Sequence, residues 1–152
     1  MKVKTSDLIG PALDWVVAVA KGMEPKFFTE DEAYRAYVME RTLKHDDYVS
    51  VLRPNNRITP LAKFAGYNDG VCWKDTFSPS TDWAHGGPII EQENFKLDPR
   101  KGQWEATIWN EAEMQNPAYG PTILIATMRC FCCSKLGDVV DIPEELCQQQ
   151  SN

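Results

Sequence analysis

The sequence predicts an α+β fold, in which two or three helices pack on a small, mostly antiparallel sheet. Two observations lead to it. Apolar residues recur at helical spacing near both ends of the chain, and short strand-like segments bounded by turn residues lie between them. With 152 residues, 43% of them hydrophobic, the chain is long enough to bury a core. We expect a single globular domain over residues 1–147 and a frayed polar tail over residues 148–152.

The first helix is predicted to begin at Thr5 or Ser6 and to end near Lys21. Apolar residues cover two of its faces, which predicts a helix that is buried on most sides. Pro11 disturbs this pattern, because a proline inside a helix removes one backbone hydrogen bond. We therefore expect a kink at this position, or a helix that begins one residue before it.

The second helix is predicted from a capping box. Thr29 and Glu32 have the required spacing, and the pattern after them indicates a helix over residues 30–44. A strand follows at residues 48–52. Beyond it the signals are mixed and indicate only a short helical turn over residues 60–64.

The second half of the chain predicts a hairpin and a last helix. Residues 89–97 and 103–110 form the two strands, and the segment between them has the composition of a turn. Pro121 suits the first position of the last helix, and Gly137 marks its end. A further short strand is expected at residues 139–142.

Composition argues against several classes of function. A net charge of −6 disfavours binding to DNA or RNA, which requires a basic surface. No apolar run approaches the roughly 20 residues that span a bilayer, so we expect no membrane partner. Five Cys, three of them within residues 130–133, favour reduced thiols over a disulfide framework. Two His and thiols on different helix faces do not suggest zinc, and we expect no metal and no cofactor.

Residues 77–91 hold the densest group of side chains that could recognise a ligand. This segment, FSPSTDWAHGGPIIE, combines aromatic rings, an imidazole, carboxylates and hydroxyls, and we expect it to be a loop. Gly86 and Gly87 would supply conformational freedom and allow another group to approach closely. Pro88 would then start an extended segment. The alternative is a structural turn that carries a buried Trp83.

The residue pattern of the same segment argues against a catalytic role. Asp82 and His85, together with a nearby serine, could form a hydrolytic triad, since triads are defined by geometry rather than by order. However, no G-x-S-x-G nucleophile elbow is present, and loop hydroxyls next to an aspartate more often cap turns. We therefore predict no catalytic residue.

Arg129 is the charged residue that most needs a partner, because it lies in an apolar segment. The partner is either an internal carboxylate (Asp82, Glu91 or Asp14) or a ligand phosphate, which a guanidinium binds well. Residues 119–122 precede the last helix and would present its free N–H groups and positive dipole to an anion.

Three segments together resemble the NinX-like proteins of lambdoid bacteriophages and related prophages. They are ALDW at residues 12–15, SPSTDWAHGGPIIE at residues 78–91, and YGPT leading into ATMRC over residues 119–130. The family pattern often has Gln where this chain has His85, which further weakens a catalytic role for the imidazole. The resemblance implies a small phage protein that acts in the cytoplasm of the host bacterium. It implies no particular mechanism.

We therefore expect a non-enzymatic protein that sequesters a nucleotide-like ligand and forms a homo-oligomer. A role in counter-defence, by removing an immune signal of the host, rests on analogy with other small phage proteins. One alternative is a protein–protein inhibitor of a host enzyme, which would also use aromatic anchors. Another is a nucleotide hydrolase that uses Asp82, His85 or Glu91. The predicted ligand-binding residues are Ser80, Thr81, Asp82, Trp83, His85, Gly86, Gly87, Tyr119, Gly120, Thr122 and Arg129.

Overall fold

A computed structural model describes residues 1–66, 72–108 and 117–149 of the chain. Its helices are α1 (Gly10–Ala20), α2 (Glu30–Val38), α3 (Trp83–Gln92), α4 (Ile123–Leu136) and α5 (Glu144–Gln149). Its strands are β1 (Lys2–Lys4), β2 (Lys26–Thr29), β3 (Tyr48–Leu52), β4 (Ala62–Gly66), β5 (Cys72–Lys74), β6 (Phe95–Arg100), β7 (Gln103–Ile108), β8 (Ala118–Gly120) and β9 (Val139–Asp141). The predicted α+β class is confirmed, with more helices than the expected two or three.

The chain divides into two compact units. Unit one comprises residues 1–21 and 78–152, and unit two comprises residues 22–77. All predicted ligand-binding residues belong to unit one. The prediction of a single domain over residues 1–147 stays a prediction.

Unit one is built around α4. This helix packs on one face of the antiparallel sheet β6-β7-β8, where Ala126 and Cys130 meet Ala106 and Ile108 of β7 in a buried cluster. α1 packs against α4, and α5 packs against α1. The short strands β1 and β9 pair antiparallel, so the beginning of the chain lies beside the segment that follows α4.

α1 begins at Gly10 and places Pro11 in its first turn, so the second of the two sequence expectations is confirmed. Proline is tolerated there, because an N–H group of the first turn has no partner within the helix. Residues 5–7 form a separate 3₁₀ turn. Every residue from Ala12 to Ala18 is buried, as the apolar faces predict, and this includes Asp14.

The expected loop at residues 77–91 is wrong over most of its length. The chain forms α3 from Trp83 to Gln92, through Gly86, Gly87 and Pro88. Three residues of low helix propensity are accommodated here because packing outweighs propensity: Ile89 is almost fully buried and α3 packs against α4. The predicted extended segment at residues 89–90 is likewise helical.

The predicted hairpin is present but begins later. β6 and β7 pair from Phe95 with Ile108 to Arg100 with Gln103, around a two-residue turn that places Gly102 at a φ of 77°. The predicted residues 109 and 110 lie outside the described residues. Pro121, predicted at the first position of the last helix, instead precedes its cap. α4 begins at Ile123, and the Thr122 hydroxyl caps it by accepting the backbone N–H of Ile125 at 3.1 Å. Gly137 ends α4 as predicted, and β9 lies within the predicted strand.

Unit two places β2 parallel to β3, followed by the antiparallel strands β4 and β5. The capping box is confirmed: the Thr29 hydroxyl accepts the N–H of Glu32, and the Glu32 carboxylate accepts the N–H of Thr29. α2 ends at Val38, earlier than predicted, because the chain turns back to bury Leu43. The short helical turn expected over residues 60–64 is wrong, because most of this segment lies in β4.

The end of the described chain is helical. α5 extends to Gln149, which includes the first two residues of the predicted tail, and residues 150–152 lie outside the described residues. Among the described residues, no helix is long and apolar enough to cross a membrane.

Candidate functional site

The candidate site begins with a turn that leads into α3. The backbone N–H groups of Thr81 and Asp82 both donate to the carbonyl of Ser78, at 3.2 and 2.9 Å. The Asp82 carboxylate then caps the helix by accepting the N–H of Ala84 at 2.9 Å. Asp82 therefore caps the start of α3, and 51% of its side-chain surface remains exposed to solvent. Its role as a helix cap follows from the ordinary preference for aspartate at this position.

A buried carboxylate from α1 holds this turn in place. Asp14 Oδ1 accepts the backbone N–H of Ser80 at 2.8 Å, and both residues are buried. Burial raises the pKa of Asp14 to about 6, while its interactions with Ser80 and the nearby charge of His85 lower it. The Ser80 hydroxyl is also buried, and its interaction with the Asp14 carboxylate contributes to this lowering of the pKa.

His85 lies close to two acidic groups but has the wrong hydrogen bond for a triad. Its Nδ1 accepts the backbone N–H of Ser78 at 3.0 Å and lies 3.7 Å from Asp82 Oδ2. A catalytic triad requires Nδ1–H to donate to the acid. Here Nδ1 is an acceptor, so the neutral ring carries its proton on Nε2. The imidazole therefore stabilises the turn before α3.

Two glycines allow close packing around α4. A Cβ on Gly86 would lie 2.5 Å from the Pro79 carbonyl oxygen and 2.6 Å from Leu124 Cδ2. A Cβ on Gly120 would lie 2.7 Å from the backbone nitrogen of Ala126. Gly87 has open space at its Cβ position. The close approach at Gly86 and Gly120 is therefore made by other residues of the same chain.

A cavity of about 450 Å³ lies between the start of α3 and the start of α4. Its wall includes the ring of Trp83, which is 56% exposed, and the half-buried Trp104 of β7. We call it the Trp83 cavity. Its lining residues are Ser80, Thr81, Trp83, Trp104, Pro121, Thr122, Ile123, Leu124 and Ile125.

The N-terminus of α4 forms one side of the Trp83 cavity. Thr122 accepts the N–H groups of Ile125 and Ala126 through its hydroxyl and its carbonyl. The N–H groups of Ile123 and Leu124 precede the first intrahelical hydrogen bond, as in any helix. They contribute to the partial positive charge at this end of α4.

Arg129 lies at a different cavity from Trp83, so the structure does not bring these two predicted residues together. Its Nε donates to the Leu8 carbonyl at 2.8 Å and its Nη1 donates to the Tyr119 carbonyl at 2.7 Å. The expected internal carboxylate partner is therefore replaced by two backbone carbonyls in the described part of the chain. Burial lowers the pKa of Arg129, and the charge of Asp7 raises it.

The Tyr119 ring also lies outside the Trp83 cavity. Tyr119 pairs with Glu105 across β7 and β8, whereas its neighbour Gly120 pairs with Trp104. Successive residues of a strand face opposite sides of the sheet, so Tyr119 faces away from the side on which Trp104 lies. Its predicted role as a second stacking surface in this cavity is not supported by this geometry.

The predicted site residues therefore fall into three groups. Ser80, Thr81, Trp83 and Thr122 line the Trp83 cavity. Asp82, His85 and the glycines are not among its lining residues but belong to the segments that lead into α3 and α4 or to α3 itself. Tyr119 and Arg129 lie elsewhere. Sequence reasoning missed Trp104, because a tryptophan in a strand is more often a core or sheet-face residue than a stacking surface. It also missed Asp14 as the anchor, although a single carboxylate within an apolar helix is a usable signal.

The thiols of α4 do not form a metal site with other described side chains. The described residues include no cluster of three or more His, Cys, Asp or Glu that could hold an ion. Cys130, Cys132, Cys133 and Cys147 are free thiols. Burial raises the pKa of Cys130 to about 11 and raises that of Cys132 further.

Comparison with known protein families identifies a match. Residues 4–135 match the family described as "Bacteriophage P22, NinX". The chain belongs to this family. No curated protein matches the chain.

The three segments that carry the resemblance to the NinX family all lie in unit one and contact one another. Residues 12–15 reach residues 78–91 through the hydrogen bond between Asp14 and Ser80. Residues 78–91 meet residues 119–130 where Gly86 lies against Leu124. The Trp83 cavity lies between the second and third segments, and both of them contribute residues to its lining.

Proposed function

We propose that this NinX-family protein is a non-enzymatic binding protein that sequesters a small nucleotide-like ligand in the Trp83 cavity. The observation that supports this most is the combination of an exposed indole with a helix N-terminus around one cavity. Acting in the host cytoplasm, such a protein would remove a nucleotide signal of bacterial immunity. We also expect it to act as a homo-oligomer.

The size and lining of the cavity suit a ligand that contains a flat ring. A volume of about 450 Å³ lies within the usual range of small-molecule sites, roughly 300–1,000 Å³. Trp83 presents more than half of its surface. A base stacked on an aromatic side chain gains about 1–3 kcal/mol in single-stranded nucleic-acid complexes. Trp104 supplies a second aromatic surface in the same lining.

An anionic group of the ligand would bind at the start of α4. The N–H groups of Ile123 and Leu124 and the helix dipole favour a negative charge there. Ser80 also lines this cavity. Arg129 is left out of this site because it lines another cavity.

Hydrolysis is less well supported than sequestration. A general base must accept a proton from the reacting group, and His85 uses Nδ1 to accept the Ser78 N–H. Asp82 uses one oxygen to cap α3. Inhibition of a host protein remains the main rival, since Trp83 and Tyr119 are both exposed aromatic residues of the kind found in interfaces.

Native mass spectrometry of protein purified from phage-infected bacteria tests the proposal. We expect additional mass on the protein, and release of an intact ultraviolet-absorbing, phosphorus-containing compound after heat denaturation. The same spectrum gives the number of protomers. A bound or released hydrolysis product would instead support the hydrolase, and a stable complex with a host protein and no small molecule would support the inhibitor.

A further inference from the structure

A second cavity in unit one, of about 320 Å³, lies where the N-terminal segment meets the end of α4. We call it the Arg129 cavity. It is lined by Lys4, Thr5, Ser6, Pro117, Ala118, Arg129, Cys133, Asp138 and Val139. It shares no lining residue with the Trp83 cavity.

The Arg129 guanidinium is held in a fixed position at this cavity. Leu8 and Tyr119 accept one hydrogen bond each from it, through backbone carbonyls at 2.8 and 2.7 Å. A guanidinium has five N–H donors in a rigid plane, so these two bonds leave donors available. The fixed orientation reduces the entropy lost when those remaining donors bind a ligand.

The charge of Arg129 is only partly compensated. Half-burial removes water from the guanidinium, and in the described residues its hydrogen bonds go to neutral carbonyls. Asp7 acts on it through its charge, without an ion pair within 4 Å. An anion that entered the cavity would supply the missing charge and accept charge-assisted hydrogen bonds.

The other polar groups of the cavity define what it would bind. Lys4 adds a second positive charge and Ser6 a hydroxyl donor. Asp138 adds a negative charge, and its Oδ1 accepts the thiol of Cys133 at 3.1 Å. Among the lining residues, two cations and one carboxylate give a net positive charge, which Asp7 outside the lining offsets in part, in a chain whose overall charge is −6.

We infer that the Arg129 cavity is a second binding site, which takes the oxyanion of a small molecule on Arg129 and Lys4. Phosphate and carboxylate share this chemistry, since both present two oxygens in the geometry of a guanidinium. The inference does not depend on the proposed function, because the site has its own lining residues.

Calorimetric titration at low salt with inorganic phosphate, and separately with acetate, tests this inference. We expect saturable binding of at least one of the two anions. Lys4→Gln should weaken binding about two- to fivefold, as for a partly exposed charge pair. Asp138→Asn should strengthen it, because the amide keeps an oxygen for the Cys133 thiol and removes the repelling charge. Arg129→Met should weaken binding about tenfold or more, since hydrogen bonds to charged groups are the stronger ones.

The control is Lys101→Gln, which removes the same charge as Lys4→Gln from the exposed β6–β7 turn. It should leave binding unchanged. Arg129→Met can fail to fold because its two carbonyl partners lose their donors, but Lys4→Gln and Asp138→Asn change exposed charges only. Opposite effects of these two variants support the site. No saturable binding, or equal weakening by Lys4→Gln and Lys101→Gln, overturns it.

Discussion

Asp14 of α1 accepts a 2.8 Å hydrogen bond from the backbone N–H of Ser80, which lies 66 positions further along the chain. This buried contact fixes the turn from which α3 begins. The position of Trp83 at the cavity therefore depends on a carboxylate that has no contact with the proposed ligand. Asp14 is a positioning residue, and its titration should be visible in the stability of the fold.

The pH dependence of stability should report on Asp14. Its pKa is raised from 3.8 to about 6 in the folded state, so the protonated carboxyl stabilises the fold. This contribution is fully present below about pH 4 and is lost as the pH rises through 6. It amounts to about 3 kcal/mol at most, from roughly two pKa units. Asp14→Asn should remove this part of the pH dependence, which urea denaturation of the variant and the wild type measures.

The matched comparison is the difference in unfolding free energy between Asp14→Asn and wild type. Between pH 4 and pH 7.5 the variant should gain stability relative to the wild type. Its amide keeps an acceptor for the Ser80 N–H and cannot ionise, whereas Asp14 of the wild type does. Asp14→Ala loses that acceptor and should be destabilised at both pH values. A difference that is the same at both pH values would contradict the assignment of the raised pKa.

Gly86 and Gly87 should differ in their response to alanine, although they are neighbours in α3. At Gly86 the new methyl group would lie 2.5 Å from a backbone oxygen, and overpacking of this kind costs about 1–3 kcal/mol. At Gly87 nothing beyond its chain neighbours lies within 4 Å, so alanine meets only the restriction that Pro88 places on the residue before it, and its cost should be smaller than at Gly86. Chemical denaturation of both variants measures this, and equal effects would show that α3 and α4 are not packed as described.

The correction at α3 shows which features can be predicted from sequence. The capping box at Thr29 and Glu32 was correctly predicted because both of its hydrogen bonds join residues three positions apart. The helix through Gly86, Gly87 and Pro88 was not, because local propensity opposes it. What stabilises it is contact with α4, whose Leu124 lies 38 positions after Gly86. No local pattern contains that information.

The lining of the Trp83 cavity was predicted only in part, again because local patterns carry no information about long-range contacts. Ser80, Thr81, Trp83 and Thr122 were found from residue type, and they do line one cavity. The expected convergence of Trp83 with Arg129 failed because it depended on the side of α4 that Arg129 faces. That side was set by backbone carbonyls of Leu8 and Tyr119, and sequence reasoning considered only carboxylates and phosphate as partners.

The thiols should differ in reactivity in the order of their burial. Cys130 and Cys132 are buried, whereas Cys133 and Cys147 are partly exposed. Among these four thiols, Cys147 should be alkylated first, since burial and the contact with Asp138 raise the pKa of Cys133. In denaturant all five cysteines should react. Peptide mass spectrometry after timed alkylation measures the order, and rapid labelling of Cys132, or a disulfide, would contradict it.

His85 should be replaceable without loss of ligand binding. Asn in place of His85 can keep an acceptor for the Ser78 N–H, because its amide oxygen occupies a position similar to that of Nδ1. It cannot act as a general base. Calorimetry with the recovered ligand should therefore give an affinity close to that of the wild type. An activity on that ligand that is present in the wild type and abolished by His85→Asn would favour the hydrolase instead.

The central claim is that Trp83 and the start of α4 form a ligand site, and the amount of compound released by heat per mole of protein tests it most directly. Wild type, Trp83→Ala and Tyr119→Ala should be purified in the same way from phage-infected cells. Both variants remove an exposed aromatic ring, but only Trp83 lines the cavity. Losing a stacking contact of about 1–3 kcal/mol corresponds to roughly 5- to 150-fold weaker binding. We predict that Trp83→Ala loses most of the compound and Tyr119→Ala retains it. Equal retention by a folded Trp83→Ala variant would contradict the account.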